Sequence, residues 1–582
     1  MGIHRPDIRT LVAAACAALV ALTACTGADG PPAGSRTVDQ MARAAGADVV
    51  EHLRRGYYAG RSGDILFVPE PYSVVVRWSG RGVGTDAADP RTSHSTPWDY
   101  HQRVPITLSG PGYVRGGKLV HRSVDVTDLA PTIGDLMHFD FHARDGEPLR
   151  EALLPPRQRR EPPRAIVVVA YDGGGWNLLE QWPDAWPVQR RLAREGTTYL
   201  NATIGSAPSV TTAIHANMGT GAYPRTHGMP EITGRLPDGT IGDSYFDRGD
   251  PRLLEVGTVA DAWDAANGNE PWVGMIGYET WHLGMMSRGA HHPGGDRDVA
   301  VLWEREPGLG RFHTNEELYE LPDGLPGDGD LRGRLHELDG EDGAIDGRWM
   351  GHDLEDPAIV PGTPAFVRHE GEALLSMIED PGFGTDELTD LLFVELKPTD
   401  FGGHIWNMVA PEEEFVLRAQ DRLLGQIVRA LDRKVGRDRY ALMLTADHGQ
   451  TPIPESTGGL RIHPDILGAK VDEYFGASLV EQVTPSGIFL RPGALGETGL
   501  TVSDVARFVG DFRYGDGLPA DVDVDLIPEE DLDALVFAAA LPGPYLEAVT
   551  EEETAALGPG DFREGVLAAP EGLERYVALL AS

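Results

Sequence analysis

Three short segments of the chain are almost continuously apolar, and each is followed at once by polar residues. They are 165–170, 391–396 and 440–445. Such runs are typical of strands that are buried on both faces of a parallel sheet. Between the last two runs, residues 413–433 carry apolar side chains at helical spacing, which predicts a crossover helix. The pattern therefore predicts an α/β fold with a central, mostly parallel sheet between helical layers.

The N-terminus has the pattern of an export signal. Two arginines precede an Ala-rich apolar run that is too short to span a bilayer as a stable helix. The run ends in Leu22-Thr23-Ala24-Cys25, which resembles the lipobox of bacterial lipoproteins, where the cysteine is acylated. We expect a signal peptide over 1–24, then a lipidated Cys25 and flexible tether over 25–36, and hence an exported protein anchored to the cell membrane. The alternative is an ordinary signal peptide with a chance cysteine.

Composition narrows the possible partners. The 582 residues carry a formal net charge of −40, with 90 acidic against 50 basic side chains. Nucleic-acid binding requires a basic surface, so we exclude DNA and RNA as partners. The only cysteines are Cys16 and Cys25, and both belong to the export signal. The mature domain therefore has no pair of thiols for a disulfide.

Polar side chains with metal-ligand chemistry follow each of the three apolar runs. Asp172 follows the first, Asp400 and His404 follow the second, and Asp447 and His448 follow the third. Because the carboxyl ends of parallel strands meet at one edge of a sheet, these side chains are expected to converge there. Carboxylates and imidazoles are the ligands of hydrolytic zinc sites. Two carboxylate–imidazole pairs indicate two metal ions.

Thr211 is the candidate nucleophile. It stands at the start of a predicted helix, where the helix dipole favours anionic groups and lowers the pKa of a hydroxyl. On local sequence alone, the position favours a capping role for Thr211 or Thr212 over a catalytic one. The segments around Asp172, Thr211, Asp400 and His404, and Asp447-His448-Gly449, taken in this order, resemble the alkaline phosphatase superfamily, most closely its type I phosphodiesterase/nucleotide pyrophosphatase branch.

The resemblance implies a ligand set and a mechanism. One zinc ion would be held by Asp172, Asp447 and His448, and the other by Asp400 and His404, with Thr211 directed toward both. Thr211 would be phosphorylated transiently during ester hydrolysis. The implied cofactors are two divalent metal ions, most simply Zn²⁺, and the implied partner is a small phosphate ester.

The family supplies one more histidine ligand from late in its chain, and here the order differs. Residues 56–68, the segment around His94 and residues 125–132 resemble the C-terminal portion of the family in its own internal order. The resemblance therefore assigns the last ligand to His94 and implies a circularly permuted chain. The alternative is His463, the only histidine after His448.

The expected organisation assigns every segment to one catalytic domain or to its insertion. The segments are 37–160 (permuted C-terminal portion), 161–230 (first half of the core), 231–390 (cap or insertion), 391–470 (second half) and 471–582 (remaining α/β part).

The expected activity is hydrolysis of a phosphate ester, of the phosphodiesterase/nucleotide pyrophosphatase type. A phosphomonoesterase, a phosphoglycerol transferase and a non-catalytic surface lipoprotein are the alternatives. Asn217 and Lys397 are the candidates for holding a phosphoryl oxygen.

Overall fold

The fold is taken from a computed structural model that describes residues 30–77, 91–246, 248–305, 308–561 and 573–581. The predicted signal peptide over 1–24 and the predicted lipidation at Cys25 lie outside these residues. Within the described ranges, every helix is too short or too polar to cross a bilayer.

The strands and helices alternate along most of the chain. In chain order the strands are β1 (Ile65–Pro69), β2 (Val74–Val75), β3 (Arg103–Ser109), β4 (Lys118–Val120), β5 (Val124–Asp125), β6 (Ala165–Tyr171), β7 (Thr197–Thr203), β8 (Thr233–Arg235), β9 (Ile241–Asp243), β10 (Val273–Ile276), β11 (Asp298–Glu304), β12 (Arg311–His313), β13 (Tyr319–Glu320), β14 (Arg348–Trp349), β15 (His352–Asp353), β16 (Asp390–Leu396), β17 (Tyr440–Ala446), β18 (Arg461–Ile462), β19 (Val480–Val483), β20 (Gly487–Leu490) and β21 (Phe537–Pro542). The helices are α1 (Val38–Ala45), α2 (Ala47–Gly56), α3 (Asp99–Gln102), α4 (Leu129–Leu136), α5 (Trp176–Gln181), α6 (Pro187–Glu195), α7 (Thr211–Thr220), α8 (Pro224–His227), α9 (Val259–Ala266), α10 (Asp328–Asp339), α11 (Pro364–Ile378), α12 (Pro398–Ile405), α13 (Pro411–Leu431), α14 (Pro464–Phe475), α15 (Ala494–Thr498), α16 (Val502–Gly510), α17 (Glu529–Leu532), α18 (Gly543–Ala548), α19 (Glu551–Ala556) and α20 (Leu573–Ala581).

A large mixed sheet forms the centre of the molecule, in the order β12-β11-β10-β16-β6-β17-β3-β7-β4, with β13 beside β11 and β5 beside β7. The five strands from β11 to β17 in this order are parallel. Side chains of β6 alternate between two apolar clusters, Ile166 and Val168 in one and Val167 and Val169 in the other. The prediction of an α/β fold with a central, mostly parallel sheet is thereby confirmed.

The three apolar runs are the neighbouring strands β16, β6 and β17. Leu396 and Ala446 both stand opposite Tyr171, so the three strands end at the same level of the sheet. The predicted crossover helix is α13, which begins at Pro411 and ends at Leu431. Because the strand ends are in register, the polar residues that follow them share one edge.

The N-terminal part of the described chain joins the same sheet. Strand β3 lies antiparallel between β17 and β7, while β4 and β5 run parallel to β7. The loop that carries His94 precedes α3 and β3. Strand β3 therefore brings its preceding loop to the edge where β6, β16 and β17 end.

The segment expected to be a cap, 231–390, is in part a component of the sheet. It contributes β10 and β11, which extend the parallel strands beyond β16, and also β12 and β13. The apolar run of β10 is only four residues long and includes Gly274, and so the density of Gly, Pro and Asp around it concealed the strand. The remainder of the segment forms the two-stranded sheets β8-β9 and β14-β15 together with loops and helices, including residues beside the site described below.

A second, smaller sheet combines the two ends of the described chain. Its order is β19-β20-β1-β21, and its strands are antiparallel. The end of the predicted tether is also fixed here, because Arg36 forms an ion pair with Asp511 at 2.9 Å. The Ser35 carbonyl oxygen accepts a hydrogen bond from Arg507. The expectation of a flexible tether up to residue 36 is therefore wrong for its last two residues.

Candidate active site

Asp172, Asp447 and His448 form a fully buried group beyond the ends of β6 and β17. Each is 0% exposed. His448 Nε2 lies 3.3 Å from Asp172 Oδ1 and 3.4 Å from Asp447 Oδ2. The main-chain nitrogen of Gly173 donates to Asp447 Oδ1 at 3.1 Å and fixes that carboxylate. The arrangement directs two carboxylate oxygens and one ring nitrogen at a common point.

Asp400, His404 and His94 form a second group next to the first. The Nε2 atoms of His94 and His404 each lie 3.3 Å from Asp400 Oδ1. The rings of His94 and His448 are stacked, with centroids 3.6 Å apart. The structure therefore brings six of the seven predicted site residues together, namely Asp172, Asp400, Asp447, His94, His404 and His448. The position of the seventh, Thr211, is given below.

The three histidines present the same ring nitrogen. His94 Nδ1 bonds to the Ser209 carbonyl oxygen at 2.8 Å, and His404 Nδ1 bonds to the Thr92 carbonyl oxygen at 2.8 Å. His448 Nδ1 bonds to the carbonyl oxygen of Gly449 at 3.0 Å. A carbonyl oxygen can only accept, so each Nδ1 carries a proton, and the neutral form of each ring keeps its lone pair on Nε2. This tautomer is the one that binds metal through Nε2.

The unpaired atoms of the site fit metal ions. Asp172 Oδ1, Asp447 Oδ2 and His448 Nε2 are buried and have no hydrogen-bond partner. Leaving buried polar atoms unpaired is costly unless something binds them. Their oxygen and nitrogen donors match the ligand set of Zn²⁺. The residues present therefore fit the cofactor that the sequence implies.

Lys397 is the buried cation of the site. Its Nζ lies 2.7 Å from Asp172 Oδ2 and 2.7 Å from Asp400 Oδ2, and so it joins the two groups. Burial lowers the pKa of Lys397, but the carboxylates of Asp172 and Asp400 outweigh it, and the net shift is upward. For His448, burial is likewise outweighed by Asp447 and Asp172, which raise the pKa to about 9. Both groups reflect the concentrated negative charge of the site.

Thr211 is the first residue of α7 and is 1% exposed. The N-cap is Val210, and no side chain caps the helix, so the capping alternative for Thr211 and Thr212 does not apply. Thr211 borders the same cleft as His94 and Asp400. The structure therefore places a hydroxyl at a helix N-terminus in the cleft that the second ligand group borders.

Two residues considered from the sequence are engaged elsewhere. Asn217 donates to the Ile204 carbonyl oxygen and to Ser206, and it accepts from His227, so its amide is not available for a phosphoryl oxygen. His463 is the residue before α14 and belongs to none of the carboxylate–imidazole groups in the described part of the chain.

Two further residues contact the first group and were missed in the sequence. His282 Nε2 lies 3.3 Å from Asp172 Oδ2 and 3.4 Å from Glu395 Oε1, and both partners of this contact are 0% exposed. Glu395 gives a signal in retrospect, because it interrupts the apolar run of β16 five residues before Asp400. His282 gives none, since it lies in a short 3₁₀-helix, Thr280–Met285, between β10 and β11.

A cleft of about 550 Å³ opens onto the site. Its lining includes Thr211, Lys397 and Asp400. Trp281, Arg305 and Phe401 also line it, as do residues 482–486 at the end of β19 and in the turn before β20. Arg305 stacks on the ring of Phe401 at 5.1 Å and on that of Tyr278 at 5.3 Å. The cleft thus combines an acidic ligand cluster with three cationic side chains, those of Arg77, Arg305 and Lys397.

Comparisons with known proteins agree with this architecture. The family described as type I phosphodiesterase / nucleotide pyrophosphatase matches residues 166–474, more than half of the chain. The alkaline phosphatase PafA of Elizabethkingia meningoseptica is 23% identical over 403 residues, which cover 60% of this chain and 72% of that protein. The crystal structure of wild-type PafA superposes with a TM-score of 0.50 at 20% identity, covering 60% of this chain and 76% of the other.

The chain belongs to the type I phosphodiesterase/nucleotide pyrophosphatase family and is a phosphoric ester hydrolase of the alkaline phosphatase superfamily. The likeness to the PafA structure concerns the fold.

Proposed function

We propose that the protein hydrolyses phosphate esters through a covalent phosphothreonine on Thr211, at a site that binds two zinc ions. The observation that carries the proposal is the pair of adjacent carboxylate–imidazole groups, the second of which borders the same cleft as Thr211 at the N-terminus of α7. Their buried atoms Asp172 Oδ1, Asp447 Oδ2 and His448 Nε2 lack hydrogen-bond partners.

The ligands are divided between the two ions as the resemblance to the family implies; in the structure His448 also lies close to His94 and Asp400. One ion would be held by Asp172, Asp447 and His448, and the other by Asp400, His404 and His94. Bound zinc supplies Lewis-acid stabilisation of developing negative charge and lowers the pKa of an adjacent hydroxyl. The two ions also explain how a chain with a net charge of −40 attracts an anionic ester, because local metal charge outweighs the distant acidic surface.

The reaction on this chain would have two displacements. Thr211 Oγ releases its proton to solvent and attacks phosphorus, and the bond from phosphorus to the leaving oxygen breaks. The leaving oxygen takes up a proton from solvent and departs as the alcohol. Water then attacks the phosphothreonine, which releases phosphate or a monoester and returns the threonine hydroxyl. The N-terminal amides of α7 and the Lys397 ammonium stabilise the oxygens of the transferred group.

We also propose that the chain order is circularly permuted and that the protein is exported and tethered by lipid at Cys25. The permutation is supported by His94, which reaches the site from before β6, and by β3, β4 and β5, which complete the sheet from the N-terminal side. The anchor is supported by the Leu22-Thr23-Ala24-Cys25 sequence.

A diester or pyrophosphate substrate follows from the family, and a phosphomonoester is the second candidate. The second is favoured by Arg305 and Lys397, two cations that border the cleft. A monoester dianion carries one more negative charge than a diester and gains more from each cation. A sulfatase is disfavoured, because no Cys/Ser-x-Pro-x-Arg segment flanks Thr211.

Turnover of three nitrophenyl esters tests the proposed reaction class. Zinc-loaded wild type is expected to cleave bis-p-nitrophenyl phosphate and p-nitrophenyl phosphate. It should cleave p-nitrophenyl sulfate much more slowly, since this monoanion gains less from the cations of the site than the p-nitrophenyl phosphate dianion does. Initial rates at 405 nm give kcat/KM for each ester. Preference for the sulfate, or no turnover of any ester by zinc-loaded protein, would refute the proposed class.

Replacement of Arg305 by alanine separates the two ester classes. We expect kcat/KM for p-nitrophenyl phosphate to fall by about 10- to 100-fold and that for the diester to fall much less, because a charge-assisted hydrogen bond to the dianion is lost. Arg311→Ala is the matched control, since Arg311 is an exposed arginine on neighbouring β12 that pairs with Glu304. Equal losses for both esters would show that Arg305 does not select between them.

A further inference from the structure

Three carboxylates meet at the edge of the sheet opposite the cleft. One oxygen each of Asp264, Asp296 and Asp298 lies within 4.8 Å of the others. Asp264 belongs to α9, Asp298 is the first residue of β11, and Asp296 lies in the loop that enters this strand. The strand begins at this group and ends beside Arg305. At about 3.3 Å per residue, the group is roughly 20 Å from the cleft.

The group is unusual because its negative charge has no protein counter-ion. Asp264 is only 3% exposed, and its Oδ1 has no hydrogen-bond partner. Asp298 is 7% exposed and contacts only the Ser287 hydroxyl through Oδ2. Two arginines of the same region are used elsewhere, since Arg288 pairs with Asp261 at 2.9 Å and Arg297 with Glu320 at 2.9 Å. Among the described residues, no lysine or arginine forms an ion pair with the three carboxylates.

Buried carboxylates without a cation are energetically unfavourable. Burial, together with the neighbouring carboxylates, raises the pKa of Asp264 to about 7 and that of Asp298 to about 8. A bound cation would remove this repulsion and pair Asp264 Oδ1. The exposed Asp296 leaves the position open to solvent, so water molecules can complete the ligand shell.

We propose that Asp264, Asp296 and Asp298 bind a hard divalent cation, with Ca²⁺ as the best match. The donors are all carboxylate oxygens, which Ca²⁺ prefers and which offer no nitrogen or sulfur for zinc. Ca²⁺ also accepts irregular geometry and several waters, as this loop requires, whereas Mg²⁺ demands a near-ideal octahedron. The ion joins α9 to the start of β11 and stabilises the strand that positions Arg305.

Calorimetric titration of the zinc-loaded, full-length protein with CaCl₂ at pH 8 tests the site. We expect one Ca²⁺ per chain with a Kd of about 0.1–1 mM, as for extracellular calcium sites, and weaker binding of MgCl₂. Asp296→Asn is expected to weaken Ca²⁺ binding by about tenfold or more, because it removes one charged ligand. Asp323→Asn, which changes an exposed aspartate of the same segment, should leave binding unchanged.

The melting temperature and terbium luminescence provide independent readouts. Ca²⁺ should raise the melting temperature of wild type and of Asp323→Asn but not of Asp296→Asn or Asp298→Asn. Tb³⁺ emission sensitised by Trp263, the neighbour of Asp264, should be displaced by Ca²⁺. Absence of Ca²⁺ binding to wild type would overturn the proposal. Undiminished Ca²⁺ binding by both Asp296→Asn and Asp298→Asn would overturn it as well. Phosphatase activity at saturating zinc should persist in Asp296→Asn, so this result is independent of the proposed function.

Discussion

Replacement of Thr211 by alanine is expected to lower kcat for the preferred phosphate ester by about 10⁴-fold or more, while the zinc content and the fold are retained. The physical reason is the loss of the only hydroxyl at the N-terminus of α7 that borders the cleft with the ligand groups. Initial-rate kinetics on the zinc-loaded variant measure the effect. Thr211→Ser should recover much of the rate, because it restores an attacking oxygen.

Thr212→Val is the matched control for this prediction. Thr212 is adjacent, is 0% exposed, and its hydroxyl has no hydrogen-bond partner, so the substitution removes an oxygen of the same helix without enlarging the side chain. It should leave turnover within a few-fold of wild type. Near-normal turnover by Thr211→Ala would exclude the phosphothreonine mechanism, and absence of turnover in the zinc-loaded wild type would favour a non-catalytic binding lipoprotein.

Replacement of His94 by alanine is expected to lower kcat/KM by about 100-fold or more, because Asp400 and His404 then lack their third ligand partner. His463→Ala is the comparison, since this histidine lies outside both ligand groups. Rates for the two variants, measured at the same added zinc, decide between the alternatives. A large loss with His463→Ala and a small one with His94→Ala would reverse the assignment and remove the main support for the permutation.

The central strands were predictable because burial on both faces leaves a strong mark in the sequence. The runs of β6, β16 and β17 are apolar at nearly every position, and the first polar residues after them are functional candidates. Parallel strands in register must place those residues on one edge. Fold class, strand positions and the convergence of Asp172, Asp400 and Asp447 therefore followed from pattern and elementary sheet geometry.

Other parts of the site carry little local signal. His94 lies in a loop without apolar periodicity, more than 300 residues before Asp400, and only resemblance to the family pointed to it. Strand β10 is short and contains Gly274, so the spacing of apolar residues did not reveal it. The same spacing did not reveal the 3₁₀-helix that carries His282. Lys397 was a candidate from the sequence. Its position between Asp172 and Asp400 depends on side-chain packing, which cannot be predicted from the sequence pattern.

The metal content of the purified protein tests the central claim most directly. Wild type and His94→Ala, prepared side by side without added chelator, would be analysed by inductively coupled plasma mass spectrometry and assayed on the same day. The account predicts two zinc ions per chain in active wild type and a loss of zinc, together with activity, in His94→Ala. Full hydrolytic activity in wild-type protein that contains only background amounts of divalent metal would contradict it.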